Sequence, residues 1–338
     1  MVYLRDATMQ YLPTNNELET LEANCIPARL RDTLESGILH LNTINEHDEG
    51  RRQAPGRTEG DPMATLSSQP AAAPKQTPAN RDKRNVSGPA IIARDLKKRY
   101  GELQAVDGVS FEVAHGEVFG MLGPNGAGKT TTVEILEGLR KADSGTAVIN
   151  GIDVFKDPDG VKNITGVQLQ TSAFFDHLTI AEIVTLYGDL YGRRVNTNKI
   201  LEMVELTDKA KSYYKPLSGG QKQRLSIAVA LVNDPVVMFL DEPTTGLDPQ
   251  SRRHMWELVQ KIKASGTTVV LTTHYMEEAE ELCDRVAVMD KGKIVAIDSP
   301  GALIDALLGT GFKNERKARA ATLEDVFITL TGHALRET

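Results

Sequence analysis

One glycine-rich loop, set between an apolar segment and a helical one, constrains this chain more than any other feature. The loop reads GPNGAGKT over residues 123–130. Its glycines let the backbone curl so that successive N–H groups point inward, at the positive end of a helix that begins near Lys129. The sequence therefore predicts a nucleoside triphosphate site. The residues predicted to bind the nucleotide here are Gly123, Pro124, Asn125, Gly126, Ala127, Gly128, Lys129, Thr130 and Thr131.

The segments on either side of the loop fit this prediction. Residues 117–122 (EVFGML) form an apolar, strand-like run, and residues 132–136 (TVEIL) are typical of a helix. Strand, loop and helix in this order are the setting that a phosphate-binding loop requires. Lys129 would then reach the β- and γ-phosphates, and the Thr130 hydroxyl would ligate Mg²⁺.

A second apolar run ends in two carboxylates. Residues 236–242 read VVMFLDE, without polar alternation, which is typical of a central strand in a parallel sheet. At the carboxyl end of such a strand, Asp241 is predicted to hold Mg²⁺ and Glu242 to polarise the attacking water. An acidic pair at a strand end is otherwise a solvated loop start, and the glycine loop decides against that alternative.

A third segment, LSGGQKQR at residues 217–224, resembles the signature motif of the ATP-binding cassette ATPases. Ser218 offers a hydroxyl, and Gly219 and Gly220 offer close N–H groups at the start of a helix predicted over residues 221–231, which makes a second anion site. In that family the cassette pairs head to tail. The resemblance thus implies a dimer, most simply a homodimer, in which ATP lies between Lys129 of one subunit and Ser218, Gly219, Gly220 and Gln221 of the other.

Other motifs of the family occur around these segments in the family's order, and the resemblance implies a role for each. Tyr100 is similar to the aromatic that stacks on adenine, and Gln170 to the glutamine that contacts Mg²⁺ and water, with Gln168 as the alternative. Asp248, in the segment GLDP, resembles part of the loop that crosses to the partner subunit. His274, after the apolar run at residues 267–273, resembles the switch histidine near the γ-phosphate.

The expected fold class is α/β: a P-loop NTPase of the ABC type with a central, mostly parallel sheet, an antiparallel β subdomain and an α-helical subdomain. Strands are predicted at residues 90–93 and 109–113, and a helical region at 168–228. Residues 285–289 and 293–296 are predicted to form a hairpin around Asp-Lys-Gly. The domains predicted are a leader at 1–88, the ATPase domain at 89–300 and a short C-terminal helical extension at 301–338.

The leader carries no cassette motif. Residues 15–47 hold a partial helical stripe broken by Pro27, which predicts a pair of short helices, and residues 49–88 are rich in Pro, Ala, Ser, Gln and charge. That second composition predicts disorder, because it buries too little apolar surface to offset the entropy of folding. Met63 opens the sequence MATL, and we hypothesise that translation starts there.

The C-terminal segment TLEDVFITL is predicted to form an amphipathic helix. Thr322 would cap it, and the apolar face would hold Leu323, Val326, Phe327 and Leu330. The LEDVF sequence resembles the terminal element of cassettes of the daunorubicin-resistance type, which work with a separate membrane permease. This resemblance favours export of a drug or an amphipathic compound.

Charge and composition indicate which classes of partner and which compartment to expect. The net charge is −7, and no block of Lys and Arg suggests a nucleic-acid partner. Cys25 and Cys283 do not suggest a disulfide framework, so a reducing compartment is expected. No apolar run approaches the roughly 18 residues of a membrane helix. The resemblance to cassettes that work with a membrane permease implies a location in the cytoplasm, peripheral on the inner face of the cell membrane.

The resemblance also implies a surface that contacts the permease, at residues 170–178, where Phe174 and Phe175 are either apolar contacts or core. A soluble cassette acting on ribosomes or DNA is the main alternative function. Translation factors of the superfamily usually carry two cassettes, and DNA-repair members insert a long coiled coil between the phosphate loop and the signature; neither pattern occurs here. A kinase or GTPase would not carry the signature. ATP and Mg²⁺ are the cofactors expected.

Overall fold

The structure, a computed structural model, describes residues 88–168, 174–310 and 323–331, with the side chains of residues 324 and 325 left out. The strands in these ranges are β1 (Ile91–Tyr100), β2 (Leu103–Val113), β3 (Val118–Leu122), β4 (Ser144–Ile149), β5 (Ile152–Asp153), β6 (Thr165–Gln168), β7 (Val237–Asp241), β8 (Thr268–Thr273), β9 (Arg285–Asp290) and β10 (Lys293–Asp298). The α-helices are α1 (Lys129–Leu136), α2 (Pro158–Lys162), α3 (Ile180–Leu190), α4 (Thr197–Met203), α5 (Gly219–Leu231), α6 (Pro249–Ala264), α7 (Met276–Leu282), α8 (Pro300–Gly309) and α9 (Leu323–Thr331).

The larger sheet has six strands in the order β10-β9-β3-β8-β7-β6. Strands β9, β3, β8, β7 and β6 are parallel to their neighbours, and β10 adds to the edge as the antiparallel arm of a hairpin. Every residue of β3 and β8 is buried, as is β7 up to Leu240. Continuous apolar strands of this kind need cover on both faces, which explains their lack of alternation.

The smaller sheet is antiparallel, in the order β2-β1-β4-β5. Its strands alternate between buried and exposed residues, because one face packs inward and the other meets solvent. The ring of Phe111 in β2 stacks on Phe119 in β3, with centroids 5.0 Å apart and planes 8° from parallel. This stacked pair ties the two sheets together.

Helices α3, α4 and α5 form the region predicted to be helical. Ile183 of α3, Leu201 of α4 and Leu225 of α5 are fully buried in one apolar cluster that also includes residues of β3, β7 and β8. A capping box begins α3, where the Thr179 hydroxyl accepts from the Glu182 N–H while the Glu182 carboxylate accepts from the Thr179 N–H. The mostly parallel sheet, antiparallel sheet and helical region of the expected fold are all present.

One predicted helix start is confirmed and the other was late. Helix α1 begins at Lys129, as predicted, because Gly128 adopts a left-handed φ of 97° and ends the loop there. Helix α5 begins at Gly219 rather than residue 221, because Ser218 caps it. The predicted strands at residues 90–93 and 109–113 were too short, since β1 and β2 pair along most of their length.

The C-terminal helix forms, but one residue of its predicted apolar face was wrong. Leu323, Val326 and Phe327 are buried, and α9 packs against α8 and α7. Leu330 is 46% exposed, because it lies in the last turn, beyond that contact. The Leu323 N–H donates to the Glu280 carboxylate at 2.8 Å, which fixes the start of the helix.

Several predictions lie outside the described residues: the leader with its helical stripe, Cys25 and the hypothesised start at Met63, together with Gln170 and the cap at Thr322. Where the structure is described, no helix is both long and apolar enough to span a bilayer. Cys283, within that part, is a buried free thiol.

Candidate functional site

The register of the larger sheet brings the predicted site segments to one edge. Leu122, the residue before the glycine loop, pairs with Thr273, the residue before His274. Asp241 pairs with Thr272 on the other side of β8. Because these strands are parallel and in register, the segments that leave their carboxyl ends emerge side by side. The glycine loop, Glu242 and His274 therefore belong to one site.

Two glycines of the loop lie where no side chain fits. A Cβ on Gly123 would come within 2.3 Å of the Met289 carbonyl oxygen, and one on Gly128 would come within 2.3 Å of the Ala105 carbonyl oxygen. The loop is thus pressed against β9 on one side and β2 on the other. Close packing on the outside holds the curl from which the inner N–H groups can face an anion.

The turn of the β9–β10 hairpin braces the glycine loop. The Gly292 N–H donates to the Ala127 carbonyl at 3.0 Å, and the Gly292 carbonyl accepts from the Asp107 N–H at 2.8 Å. Lys291 and Gly292 both have positive φ values, 46° and 78°, as a tight hairpin turn requires. The sequence predicted this turn but carried no signal for the element it contacts.

Lys129 already points into the loop. Its Nζ donates to the carbonyl oxygens of Gly123 at 2.6 Å and Pro124 at 3.0 Å, and the residue is only 5% exposed. Burial lowers the pKa of Lys129, while the charges of Glu242 and Asp241 oppose that shift. The ammonium group is thus held at the loop by backbone oxygens and by acidic neighbours, in a place where a phosphate would be a stronger partner.

Asp241 lies between two threonine hydroxyls. Its Oδ1 accepts from Thr272 Oγ1 and lies 3.4 Å from Thr130 Oγ1. Burial raises the pKa of Asp241 and the charge of Glu242 raises it further, and these effects outweigh the Thr272 hydroxyl and the charge of Lys129, which lower it. A carboxylate and a hydroxyl are hard oxygen donors of the kind Mg²⁺ takes, and a bound cation would offset the cost of burying that charge. The residues present fit a magnesium ion.

Glu242 follows β7 with an unusual backbone. Its φ of 47° lies in the left-handed region, which is costly for a residue with a side chain. This turn sets Glu242 Oε1 at 3.2 Å from His274 Nδ1, while Oε2 accepts from Thr245 Oγ1 at 3.1 Å. The Glu242 N–H is held by the backbone and side-chain oxygens of Thr272. The two predicted catalytic groups are therefore in direct contact.

The signature segment forms the capped start of α5. The Ser218 N–H donates to Gln221 Oε1 at 2.9 Å, and Ser218 Oγ accepts from the Gln221 N–H at 3.3 Å. Ser218 and Gly219 are exposed, whereas Gly220 is buried against Ser251 of α6. The Ser218 hydroxyl keeps its hydrogen for another acceptor, because that oxygen only accepts within the capping box.

Asp248 caps the next helix. Its carboxylate accepts from the N–H groups of Gln250 and Ser251 and from Ser251 Oγ at 2.7 Å, and these bonds lower the pKa of Asp248. Because Ser251 also packs on Gly220, the start of α6 and the start of α5 are fixed together. Asp248 and Ser218 thus lie on neighbouring, exposed helix ends.

Tyr100 ends β1 and is 38% exposed. The Arg140 guanidinium lies 5.2 Å and the Lys98 ammonium 5.7 Å from its ring centroid. Gln168, the alternative to Gln170, is the buried last residue of β6 and pairs in register with Leu240. Both residues therefore end strands, Tyr100 in the smaller sheet and Gln168 in the larger one.

The two phenylalanines of the predicted permease-contact segment differ in environment. Phe174 is half-buried and makes edge contacts with Tyr187 and Tyr214, at centroid distances of 5.8 and 5.3 Å. Phe175 is 56% exposed. Phe174 thus packs against the core, and Phe175 lies at the surface.

A buried carboxyl near the site makes stability depend on pH. Glu137, at the end of α1, is 3% exposed, and burial, followed by the charges of Asp241 and Glu134, raises its pKa well above the usual value. A carboxyl with a raised pKa in the folded state favours folding at low pH, and this contribution is lost as the pH rises.

We therefore expect Glu137→Gln to raise the Tm more at high pH than at low pH. A gain of about 2–4 °C near about pH 8 would correspond to roughly 1 kcal/mol, shrinking toward zero near about pH 5, as measured by thermal unfolding. The exposed Glu257→Gln on α6 is the matched control and should change little. An equal shift at both pH values would contradict the prediction.

Comparison with known proteins gives concordant matches. A family profile described as ABC transporter matches residues 106–245. The chain is 41% identical over 248 residues to the Nod factor export ATP-binding protein I of Burkholderia lata, covering 72% of this chain and 82% of that protein. It is 44% identical over 223 residues to a daunorubicin resistance ATP-binding protein of Streptomyces coeruleorubidus, covering 64% and 69% of the two chains.

A linearmycin resistance ATP-binding protein of Bacillus subtilis is 40% identical over 224 residues, covering 65% of this chain and 72% of its own length. Among solved structures, an ATP-binding subunit of an ABC transporter superposes with a TM-score of 0.62 at 27% identity, covering 72% of this chain and 99% of that one. A dimeric post-hydrolysis cassette bound to ADP and phosphate gives a TM-score of 0.56 at 27% identity, covering 62% and 98%.

Proposed function

This chain belongs to the ABC transporter family, and from that membership we propose that it binds and hydrolyses ATP to energise export through a separate membrane permease. The observation that carries the proposal is the meeting of Lys129, Asp241, Glu242 and His274 at one edge of a parallel sheet. This arrangement provides a phosphate anchor, a metal ligand and a general base at the same place.

The nucleotide is bound by the glycine loop, with Lys129 exchanging its backbone partners for phosphate oxygens. Tyr100 stacks on the adenine. Thr130 and Asp241 would hold a magnesium ion, which would neutralise developing charge on the phosphates. Gln170 would supply a further contact to the metal and the water.

Glu242 polarises the attacking water, and His274 keeps the Glu242 carboxylate oriented through the 3.2 Å contact. A base that accepts a proton must be presented to the water in one position, and two partners, His274 and Thr245, restrict the Glu242 side chain. The strained backbone of Glu242 supports this role, because such strain is typically found where geometry serves chemistry.

Hydrolysis requires two cassettes, which we propose to be identical. The exposed Ser218 hydroxyl and the N–H groups that begin α5 face the γ-phosphate held by the partner, at the positive end of a helix dipole. Gln221 holds Ser218 through the capping box. Asp248 lies near the same boundary between the two cassettes. ATP closes the dimer, and hydrolysis reopens it.

The permease converts this motion into transport, and the cassette lies on the cytoplasmic face of the membrane. Exposed Phe175 belongs to the surface that contacts the permease. Relatives at 40–44% identity are export or resistance ATP-binding proteins, which supports export of a drug or another amphipathic compound.

Purification from native membranes tests the proposal. The full-length chain is isolated in mild detergent, co-purifying proteins are identified, and ATP turnover is measured with and without them. A stoichiometric polytopic partner that stimulates turnover is the expected result. The Glu242→Gln variant serves as control, because it should retain the partner but not the turnover. A soluble, active enzyme bound to ribosomes or nucleic acid would overturn the transport function and leave the ATPase intact.

A further inference from the structure

A buried polar cluster lies behind the catalytic pair, between helices α6 and α7. At its centre is Glu278, in the first turn of α7, with no exposed surface. Glu278 Oε1 accepts from Thr244 Oγ1 at 2.8 Å and from Trp256 Nε1 at 3.3 Å. Burying a carboxylate costs several kcal/mol unless such donors compensate it. A carboxyl group at this position is therefore more costly than an apolar side chain would be.

The donors of this cluster come from different functional segments. Thr244 lies in the loop between Glu242 and Asp248, and Trp256 is on α6, the helix that Asp248 caps. Glu278 itself is on the helix that follows His274. One carboxylate oxygen therefore connects the segments carrying the base, the dimer-facing loop and the histidine.

Burial is the largest influence on Glu278, and it leaves the pKa of this carboxyl above its usual value. Burial raises the pKa of Glu278, whereas hydrogen bonds from Thr273, Thr244 and Trp256 and the charge of Arg252 lower it. The Arg252 guanidinium also lies 4.8 Å over the ring of Tyr275, which in turn contacts the His274 ring at a centroid distance of 4.1 Å. The surroundings of His274 are thus packed onto the same cluster.

We propose that Glu278 is a positioning residue for ATP hydrolysis, which sets the Glu242–His274 geometry by holding Thr244 and Trp256. The inference rests on the proposed function. Thr244 is two residues from Glu242 and is fully buried, so its hydroxyl bond limits where the loop after β7 can move. Glu278 is fully buried, and it acts through Thr244.

The test removes the hydroxyl without changing the shape of the side chain. In the full-length chain purified with its membrane partner, Thr244→Val should lower kcat about tenfold or more, while KM and the Kd for ATP stay within about twofold, because a small misplacement of catalytic groups is costly. Thr244→Ser restores the donor and should recover kcat to within about threefold.

The matched control is Thr165→Val, which also removes a buried threonine donor. Thr165 is 3% exposed and donates to the Val161 carbonyl at 2.9 Å, away from α6 and α7. Both valine variants should lose similar thermal stability, but only Thr244→Val should lose kcat. If Thr244→Val and Thr165→Val lost kcat equally, the cluster would contribute to core packing alone, and the proposal would be overturned.

Trp256→Phe provides a second measurement if Thr244→Val does not fold. It removes the indole N–H from the same carboxylate oxygen and should lower kcat in the same direction, with ATP affinity preserved. If the unchanged protein hydrolyses ATP and these variants match its kcat, only the positioning role fails. If the unchanged protein does not hydrolyse ATP, the proposed function fails with it.

Discussion

Glu242→Gln is expected to bind ATP with nearly unchanged affinity and to hydrolyse it at least about a hundredfold more slowly. The amide keeps the size of the side chain and can still lie beside His274 Nδ1, which is 3.2 Å from Glu242 Oε1. It cannot accept the proton of an attacking water. Since Lys129 and the glycine loop are untouched, the effect should fall on kcat rather than on binding.

The same variant should accumulate as an ATP-bound dimer, because only hydrolysis reopens the closed state. Size-exclusion chromatography with light scattering, with and without ATP, measures this directly. Glu257→Gln, an exposed change of the same chemistry on α6, is the control and should stay active. Turnover within about twofold of the unchanged protein would remove Glu242 from its role.

The segments that were predicted well from the sequence are those whose structure depends on a few consecutive residues. The glycine loop, the apolar strands β3, β7 and β8, and the hairpin turn each follow from a few consecutive residues. The predicted start of α5 was late by two residues, because the capping geometry of Ser218 was not considered. Such boundaries depend on single dihedral angles.

The parts that sequence reasoning missed are joined by contacts between distant residues. Thr272, which donates to Asp241, lies 31 positions from it along the chain. Gly292 reaches Ala127 from the far hairpin, and Glu278 meets Thr244 across 34 positions. In the sequence, Thr272 reads as one more β-branched strand residue and Glu278 as one carboxylate in an acidic helix. Only the register of the sheet and the packing of α6 on α7 reveal these contacts.

Burial disfavours the charged forms of two groups in the site, Asp241 and Lys129. Asp241 has a pKa raised by burial and by Glu242, and Lys129 has a pKa lowered by burial. Each group would gain from a new partner, Asp241 from a cation and Lys129 from a phosphate. A magnesium-bound triphosphate carries both a cation and phosphates, so it would offset the cost of burying both charges. Nucleotide binding and the stability of the site would thereby be coupled.

Lys129→Met should separate binding from stability. We expect ATP affinity to fall by at least about a hundredfold, because a charge-assisted contact to two phosphates is lost in a largely buried site. The Tm without nucleotide should stay within about 3 °C, since relief of the buried charge opposes the loss of two hydrogen bonds, to the Gly123 and Pro124 carbonyls.

Thermal unfolding with increasing Mg²⁺-ATP gives the decisive comparison. A ligand that binds only the folded state raises the Tm with concentration, so the unchanged protein should show a progressive rise and Lys129→Met none over the same range. Lys162→Met, which removes a lysine that pairs with Asp159 on helix α2, should keep the full rise. If Lys129→Met retained the rise, the glycine loop would bind nucleotide without its lysine. If its Tm without ATP fell sharply, Lys129 would be a structural residue whose loss of binding follows from loss of the fold.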